Sequence, residues 1–393
     1  MERKGSRFPR NPVAPHLRDI PRSGIRDFFE IVSCRKDVIS LGIGEPDFQT
    51  PWHIREAAIK SLEKGETAYT SNLGMAELRE QIALYVKRSY GLKYDWKSEI
   101  LVSVGVSEAL DLAMRAILTP GAEVLYHEPS YVAYSPVIAM AHGKPVGVTT
   151  RREEGFRLTR EMLEKKVTKK SRVLLLNFPT NPTGAVLTRE DTQGIAKFAI
   201  KHNLMVITDE VYSELTYEGD RVSIASMPGM KDRTIFLSGL SKAWAMTGFR
   251  IGFACASPVL TEAMMKIHQY TMMCAGTTSQ IAGVEALKNG DDDIRTMREE
   301  YKLRRNFICG ALNDMGLDCH LPRGAFYVFP YIGGTGLKSK DFSLRLLDEE
   351  NVACVPGTAF GPSGEGYVRC SYATHLDEIR EATKRMASFL KRL

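Results

Sequence analysis

Leu204-Met205-Val206-Ile207-Thr208-Asp209-Glu210-Val211-Tyr212 is a run of apolar residues that ends on two carboxylates. Near-continuous Leu, Met, Val and Ile, without polar alternation, is the pattern of a strand covered on both faces, as in a parallel sheet between two helical layers. A carboxylate at the end of such a strand needs a cationic partner or several donors, because an unpaired buried charge is costly. The stretch therefore sets two expectations: a mostly parallel α/β sheet, and a polar site at its carboxyl edge.

The same texture recurs on both sides of it, at Ile100–Val104, 123–126, 173–176, 234–237 and 251–254. Amphipathic segments lie between. Ala76–Tyr90 puts Leu78, Ile82 and Tyr85 on one face and stops at Gly91, a natural residue after a helix; 107–118 does the same with Ala109, Leu110, Ala113, Met114 and Ile117. Polar residues follow the strands at Gly105-Val106-Ser107, Glu128-Pro129-Ser130-Tyr131, Asn181, Asp209-Glu210 and Ser241-Lys242. Open α/β sheets bind ligands at that edge, so these five loops are expected to converge. From about residue 285 the texture changes to a charged helix over 291–312, then Gly324-Ala325-Phe326-Tyr327-Val328-Phe329, then a closing helix over 376–393. The expected organisation is a large α/β domain over 49–285, and a small α+β domain made of 1–48 and 286–393. Gly42, Gly44, Pro46 and Pro51 mark the crossing between them.

Composition removes several classes. With 393 residues, 44% hydrophobic and 25% charged, the chain is neither disordered nor fibrous. A net charge of +6 from 53 basic and 47 acidic residues, without a basic patch, gives no reason to expect nucleic acid. No run approaches the ~20 apolar residues of a membrane span, and the N-terminal segment, with Glu2 and Asp19 among its basic residues, lacks an apolar signal core. The seven cysteines are scattered, with no Cys-x-x-Cys pair, which reads as reduced thiols in a cytoplasmic protein. The histidines form no metal-binding motif, so no metal is expected.

Lys242 lies in Leu237-Ser238-Gly239-Leu240-Ser241-Lys242-Ala243-Trp244, among small and apolar residues that would desolvate its amine, lower its pKa and suit it to Schiff-base chemistry. Arg250 follows in Met246-Thr247-Gly248-Phe249-Arg250. A guanidinium near a lysine suits a phosphate, and backbone amides at Gly105-Val106-Ser107 would complete an anion cradle at a helix start. A protonated pyridine nitrogen would suit Asp209, and Tyr212 could donate to a phenolic oxygen on the same ring. Asn181, in Phe178-Pro179-Thr180-Asn181-Pro182-Thr183-Gly184, is on its own a turn residue. Each of these residues, taken singly, also has an ordinary structural use.

Taken together they resemble a family. Asn181-Pro182-Thr183-Gly184, Asp209-Glu210-Val211-Tyr212, Ser241-Lys242 with Thr247-Gly248-Phe249-Arg250, and Tyr367-Val368-Arg369 stand in the order and spacing of the class I/II aminotransferases of pyridoxal-phosphate fold type I. The likeness runs from about Ile39 to the C-terminus and includes Ser40-Leu41-Gly42-Ile43-Gly44-Glu45-Pro46-Asp47-Phe48. It implies pyridoxal 5′-phosphate as cofactor, Lys242 as the lysine that carries it and shuttles the proton, and Asp209 as partner of the ring nitrogen. It also implies Asn181 and Tyr212 as donors to the ring hydroxyl and Tyr131 as the stacking aromatic. Arg250, the amides of Val106 and Ser107, and Ser241 would bind the phosphate. Tyr69 would reach the phosphate of a partner subunit, which makes the protein a homodimer. Gly44, Asn181 and Arg369 would take the substrate α-carboxylate. The implied activity is ping-pong exchange of an amino group between an L-amino acid and a 2-oxo acid.

Two departures matter. Many members carry Ser three positions before the lysine, where this chain has Gly239; Ser238 or Ser241 would substitute. Some aspartate-specific relatives carry a lysine where this chain has Ser107, so a distal carboxylate lacks that cation unless Arg22, Arg26 or a partner subunit supplies one. The stretches around Gly44, Ser71-Asn72-Leu73-Gly74 and Gly324-Ala325-Phe326-Tyr327 look instead like relatives that pair aromatic or other bulky amino acids with 2-oxoglutarate. The alternatives are an aspartate or alanine aminotransferase, or a C–S β-lyase of the same fold. Gly105-Val106-Ser107-Glu108-Ala109 approaches a hydrolase elbow but ends in Ala. A sensing domain of the same fold would need a helix-turn-helix, which the residues ahead of the matching block do not display.

Overall fold

The computed structural model describes residues 13–18, 20, 22, 24, 35, 37–219 and 221–393. Most of the expected N-terminal part of the small domain, with Arg26 and Cys34, lies outside them. Among the described residues the main sheet has seven strands: β1 (Ile100–Val104), β2 (Glu123–Glu128), β3 (Lys144–Thr149), β4 (Ser171–Asn177), β5 (Met205–Asp209), β6 (Thr234–Gly239) and β7 (Ile251–Cys255). Their spatial order is β1-β7-β6-β5-β4-β2-β3; β3, β2, β4, β5 and β6 pair in parallel, and β7 is antiparallel to both its neighbours.

The helices that matter here are α1 (Ala76–Tyr90), α2 (Gly105–Ile117), α3 (Tyr134–Met140), α4 (Arg189–Lys201), α5 (Pro258–Thr271), α6 (Thr277–Asn289), α7 (Asp291–Asp314), α8 (Ser339–Glu350) and α9 (Leu376–Leu390). Alternate residues of each central strand face opposite layers. Val173, Leu175, Ile207, Ile235 and Leu237 pack with α2, α3 and α5. Leu174, Leu176 and Val206 pack with α4, while Phe236 and Phe253 pack with α1 and α6. Both faces being covered is why these strands carry no polar alternation. α1 ends at Gly91 with φ +70°, the left-handed conformation that glycine adopts without strain.

β3 escapes the sequence pattern. It is an edge strand containing Pro145 and Gly147, two residues that argue against a strand. Gly147 is needed there, since a Cβ would fall 2.6 Å from Glu128 Oε2.

Beyond α6, an antiparallel three-stranded sheet orders Val355–Pro356, Val368–Ser371 and Tyr327–Val328. α7, α8 and α9 pack around it through Tyr301, Ile308, Phe342, Leu346, Ile379 and Met386. Ile39–Ser40 pairs in parallel with Val352–Ala353, and the Ser371 N–H donates to Leu41 O at 2.6 Å. The N-terminal segment is thereby delivered, at Gly42 to Glu45, onto the carboxyl edge of the main sheet beside Arg369.

Candidate active site

A cleft of about 550 Å³ opens at that edge. Gly44, Val106, Ser107, Tyr131, Asn181, Asp209, Tyr212, Ser241, Lys242, Arg250 and Arg369 all line it, together with Ile43, Glu45, Asn177, Tyr134, Thr247 and Tyr327. Every residue that the resemblance assigns to cofactor or substrate is brought into this one space except Tyr69, which stands on the surface, 81% exposed.

Asp209, at the end of β5, is buried. Its Oδ2 accepts from Tyr134 OH at 2.8 Å and its Oδ1 from the Val211 N–H at 3.2 Å. Burial pushes its pKa up to about 6, against the pull of those two hydrogen bonds and of the Lys242 charge. Asn177, at the end of β4, donates to the Asp209 carbonyl at 2.9 Å and accepts from the Asn181 N–H at 3.3 Å, so adjacent strand ends brace each other.

Lys242 reaches into the cleft and donates to Gly44 O at 2.6 Å. Desolvation is the largest influence on it, and the nearby guanidinium groups of Arg369 and Arg250 add to it; Glu45 and Asp209 oppose them. The outcome is a pKa lowered to about 8, so that the amine starts to lose its proton just above neutrality.

Arg369 is 2% exposed. Its Nη1 donates to Asn181 Oδ1 at 3.0 Å and its Nη2 to Gly42 O at 2.5 Å, while Nε has no partner among the described residues. The guanidinium lies 4.4 Å from the Tyr327 ring centroid and 4.9 Å from that of Phe360. Among the described residues it has no carboxylate partner, and burial pulls its pKa below the ordinary value. A buried guanidinium without a counter-anion, open to a cleft, is arranged for an anionic ligand.

Tyr212 OH and Tyr327 OH are 2.7 Å apart, either one being able to donate. Arg250 has φ +54° and donates to Thr247 O at 3.1 Å; its guanidinium overlies the start of α2, where a Cβ on Gly105 would fall 2.3 Å from Nη2. Gly239 has an equally local reason. A Cβ there would meet Val106 Cγ2 at 2.7 Å and Ile251 O at 2.8 Å, so serine does not fit. Ser238 turns its hydroxyl to Glu210 O at 3.5 Å, outside the cleft, whereas Ser241 lines it. Among the described residues no histidine lines the cleft, which leaves Ser107 without the base a hydrolase elbow requires.

Sequence reasoning missed Tyr134 and Asn177, and left Glu45, Thr247 and Tyr327 inside longer stretches. Tyr134 carried a signal, one helical turn after Tyr131. Asn177 is the last residue of its strand, in the position that Asp209 holds in the next one.

Sequence and structure comparisons place most of the chain. The profile of the aminotransferases of class I and II matches residues 36–386. This chain belongs to that family. The aspartate aminotransferase of Pyrococcus abyssi is 47% identical over 372 residues, covering 94% of this chain and 96% of the relative. Aromatic-amino-acid aminotransferase 2 of Thermococcus litoralis is 45% identical over 382 residues, covering 96% and 98%. The crystal structure of an aromatic aminotransferase from Pyrococcus horikoshii superposes with a TM-score of 0.89 at 47% identity, over 94% of this chain and 99% of that one. The fold is that of the type I pyridoxal-phosphate enzymes, and the protein is a transferase.

Proposed function

We propose that this enzyme exchanges an amino group between an aromatic or other bulky L-amino acid and 2-oxoglutarate, by a ping-pong mechanism with pyridoxal 5′-phosphate in the cleft. The observation that carries the reading is the convergence of a low-pKa lysine, a buried carboxylate and two guanidinium groups in one cavity. This donor set suits the cofactor. Lys242 offers an uncharged amine for its aldehyde, Asp209 an acceptor for a protonated ring nitrogen, and Arg250 with the Val106 and Ser107 amides a phosphate cradle. Ser241 adds a hydroxyl to that cradle, Tyr131 an aromatic face, and Asn181 and Tyr212 donors for the ring oxygen. When bound, the cofactor supplies an electron sink for the electrons released at the substrate Cα.

The chain's own groups do the rest. Arg369, with Asn181 and the Gly44 backbone, holds the substrate α-carboxylate and so fixes which Cα bond faces the ring. Lys242 Nζ, about half uncharged near pH 8, would take the proton from Cα and return it. Asp209 keeps the ring nitrogen protonated, and Tyr134 keeps Asp209 ionised. Tyr134→Phe removes one hydrogen bond to that carboxylate and lets its pKa rise. The acid limb of kcat/KM is therefore expected to move to higher pH by up to about one unit, a lost hydrogen bond being worth about 0.5–1.5 kcal/mol. An unchanged profile rejects that role.

The donor preference rests on charge. Among the described residues the cations lining the cleft are Lys242, Arg250 and Arg369, and each already has a task; Ser107 adds none, and Glu45, hydrogen-bonded to Thr247, adds negative charge. Arg22 is exposed and does not line the cleft, and Arg26 lies outside the described residues. Ile43, Leu110 and Val132 offer apolar surface. L-Phenylalanine or L-tyrosine added alone should change the spectrum of the holoenzyme, and 2-oxoglutarate added afterwards should restore it. A larger specificity constant for L-aspartate overturns the donor assignment and favours the function named for the Pyrococcus abyssi relative; β-elimination in place of exchange overturns aminotransfer for a lyase.

A homodimer is part of the same reading, with Tyr69 reaching the partner's phosphate. Supporting it, Tyr69, Tyr270, Met272 and Met273 are 81%, 87%, 46% and 45% exposed, and the segments that carry Tyr69 and Met273 meet through the Asn72 Nδ2–Met273 O hydrogen bond of 2.8 Å. Light scattering should give a dimer, and a fully active monomer rejects this arrangement. The two domains proposed are 49–285, and 1–48 with 286–393. A cytoplasmic location is supported by the six described cysteines, all of which are free thiols.

A further inference from the structure

Glu108 lies in the first turn of α2, yet its side chain does not line the cleft. It turns back against the strand that feeds the helix. Oε2 accepts the Val104 N–H at 2.5 Å, and Oε1 meets His268 Nδ1 at 2.6 Å. An ionised carboxylate only accepts, so Nδ1 is the donor. His268, on α5, is 0% exposed, and its Nε2 has no partner among the described residues. An ordinary helix cap needs no buried histidine behind it, and sinking this pair into the interior carries a desolvation cost.

The turn that Glu108 grips leads into Val106 and Ser107, which line the cleft. Val104 ends β1 in register with Ile251, and Ser103 is in register with Gly252. Gly105 then leaves the strand at φ +74°, beneath the Arg250 guanidinium. A Cβ on Gly252 would fall 2.4 Å from Gly105 C and 2.5 Å from Val106 N, so the β7 backbone presses directly on the turn. Arg250 limits it on one side, Gly252 from beneath, and Glu108 from behind. The amides of Val106 and Ser107, in the first turn of α2, have no acceptor within the helix. Their direction follows the peptide planes between residues 105 and 107, and Glu108, through the Val104 N–H, fixes the plane between 103 and 104 from which the chain enters that turn.

We propose that Glu108, held by His268, is a positioning residue for the phosphate end of the cleft. It sets the strand-to-helix turn so that the Val106 and Ser107 amides and Arg250 meet one phosphate group. Both of its oxygens are engaged away from the cavity, so its charge does not compete with the anion. This rests on the phosphate placement proposed above.

The test compares binding of pyridoxal 5′-phosphate, unphosphorylated pyridoxal and inorganic phosphate to the apoprotein, by calorimetry and by ligand-induced change in Tm. The parent protein should prefer the phosphorylated form and be stabilised by phosphate. Glu108→Ala should lose roughly tenfold of that preference, the scale of one hydrogen bond to a charged group, with pyridoxal affinity unchanged. His268→Ala should lose it in the same direction, and His268→Asn, which keeps a donor, should recover most of it. Variants that keep the parent's preference, whatever their Tm, overturn the proposal and leave Glu108 a structural cap. If Glu108→Ala does not fold, the two His268 variants decide. A parent protein that fails to distinguish the two pyridoxal forms overturns the underlying phosphate placement instead.

Discussion

Lys242→Ala is expected to lower amino-group exchange by at least about 10⁴-fold, the upper range for loss of a positioned acid–base group, because in the proposed function the same nitrogen anchors the cofactor and moves the proton. Borohydride should trap the cofactor on the parent protein and leave nothing covalently bound in the variant. Stability should move the other way. A folded-state pKa lowered from 10.5 to about 8 means that, between those pH values, the unfolded chain holds a proton that the folded chain has lost. This group therefore lends stability that rises with pH across that window, and at pH 7 it costs stability in the cofactor-free state. Removing the amine should leave the apoprotein with a Tm at or above the parent's when measured at pH 7. An inactive variant that has also lost stability would show unfolding rather than lost chemistry. A variant that keeps cofactor covalently bound after borohydride and dialysis would put the link on another residue.

Much of this was legible in the chain because the residues concerned sit where local rules apply. The strands of the main sheet announced themselves by burial on both faces, and the polar residues just beyond them could only point to the carboxyl edge. What stayed hidden depended on pairing between distant segments. The antiparallel direction of β7 is invisible in Ile251–Cys255, whose residues look the same in either orientation. β3 was hidden by Pro145 and Gly147, tolerated because it is an edge strand whose glycine accommodates the Glu128 carboxylate. Tyr134 became a partner of Asp209 only when α3 was laid across the end of the sheet, and no spacing within 131–134 specifies which hydroxyl turns inward. Gly239 illustrates the reverse. In the sequence it is a missing serine; in the structure it is a position where Val106 and Ile251 leave no room for a side chain.

Arg369 gives the second large effect. It is buried, carries a charge that no carboxylate among the described residues balances, and leaves Nε without a partner. Two carbonyl oxygens, from Asn181 and Gly42, and the faces of Tyr327 and Phe360 hold it in place. That environment orients a guanidinium and desolvates it while leaving its charge uncompensated, so a substrate carboxylate arriving there meets a strong and directional partner. Arg369→Met should lower kcat/KM for every carboxylate substrate, donor or acceptor, by roughly 10²–10³-fold, since truncating one member of a buried charge pair costs about 2–5 kcal/mol. Arg369→Lys should recover little, because a point charge cannot reproduce the paired N–H donors. Cofactor affinity should be nearly unchanged. In the absence of substrate the same Met substitution replaces an unbalanced buried charge with an apolar side chain, so the Tm of the substrate-free protein should rise. A variant destabilised as well as inactive would mean that Arg369 is balanced by some group of the protein itself. A uniform loss of kcat/KM accompanied by a gain in Tm is what a charge kept for a ligand requires.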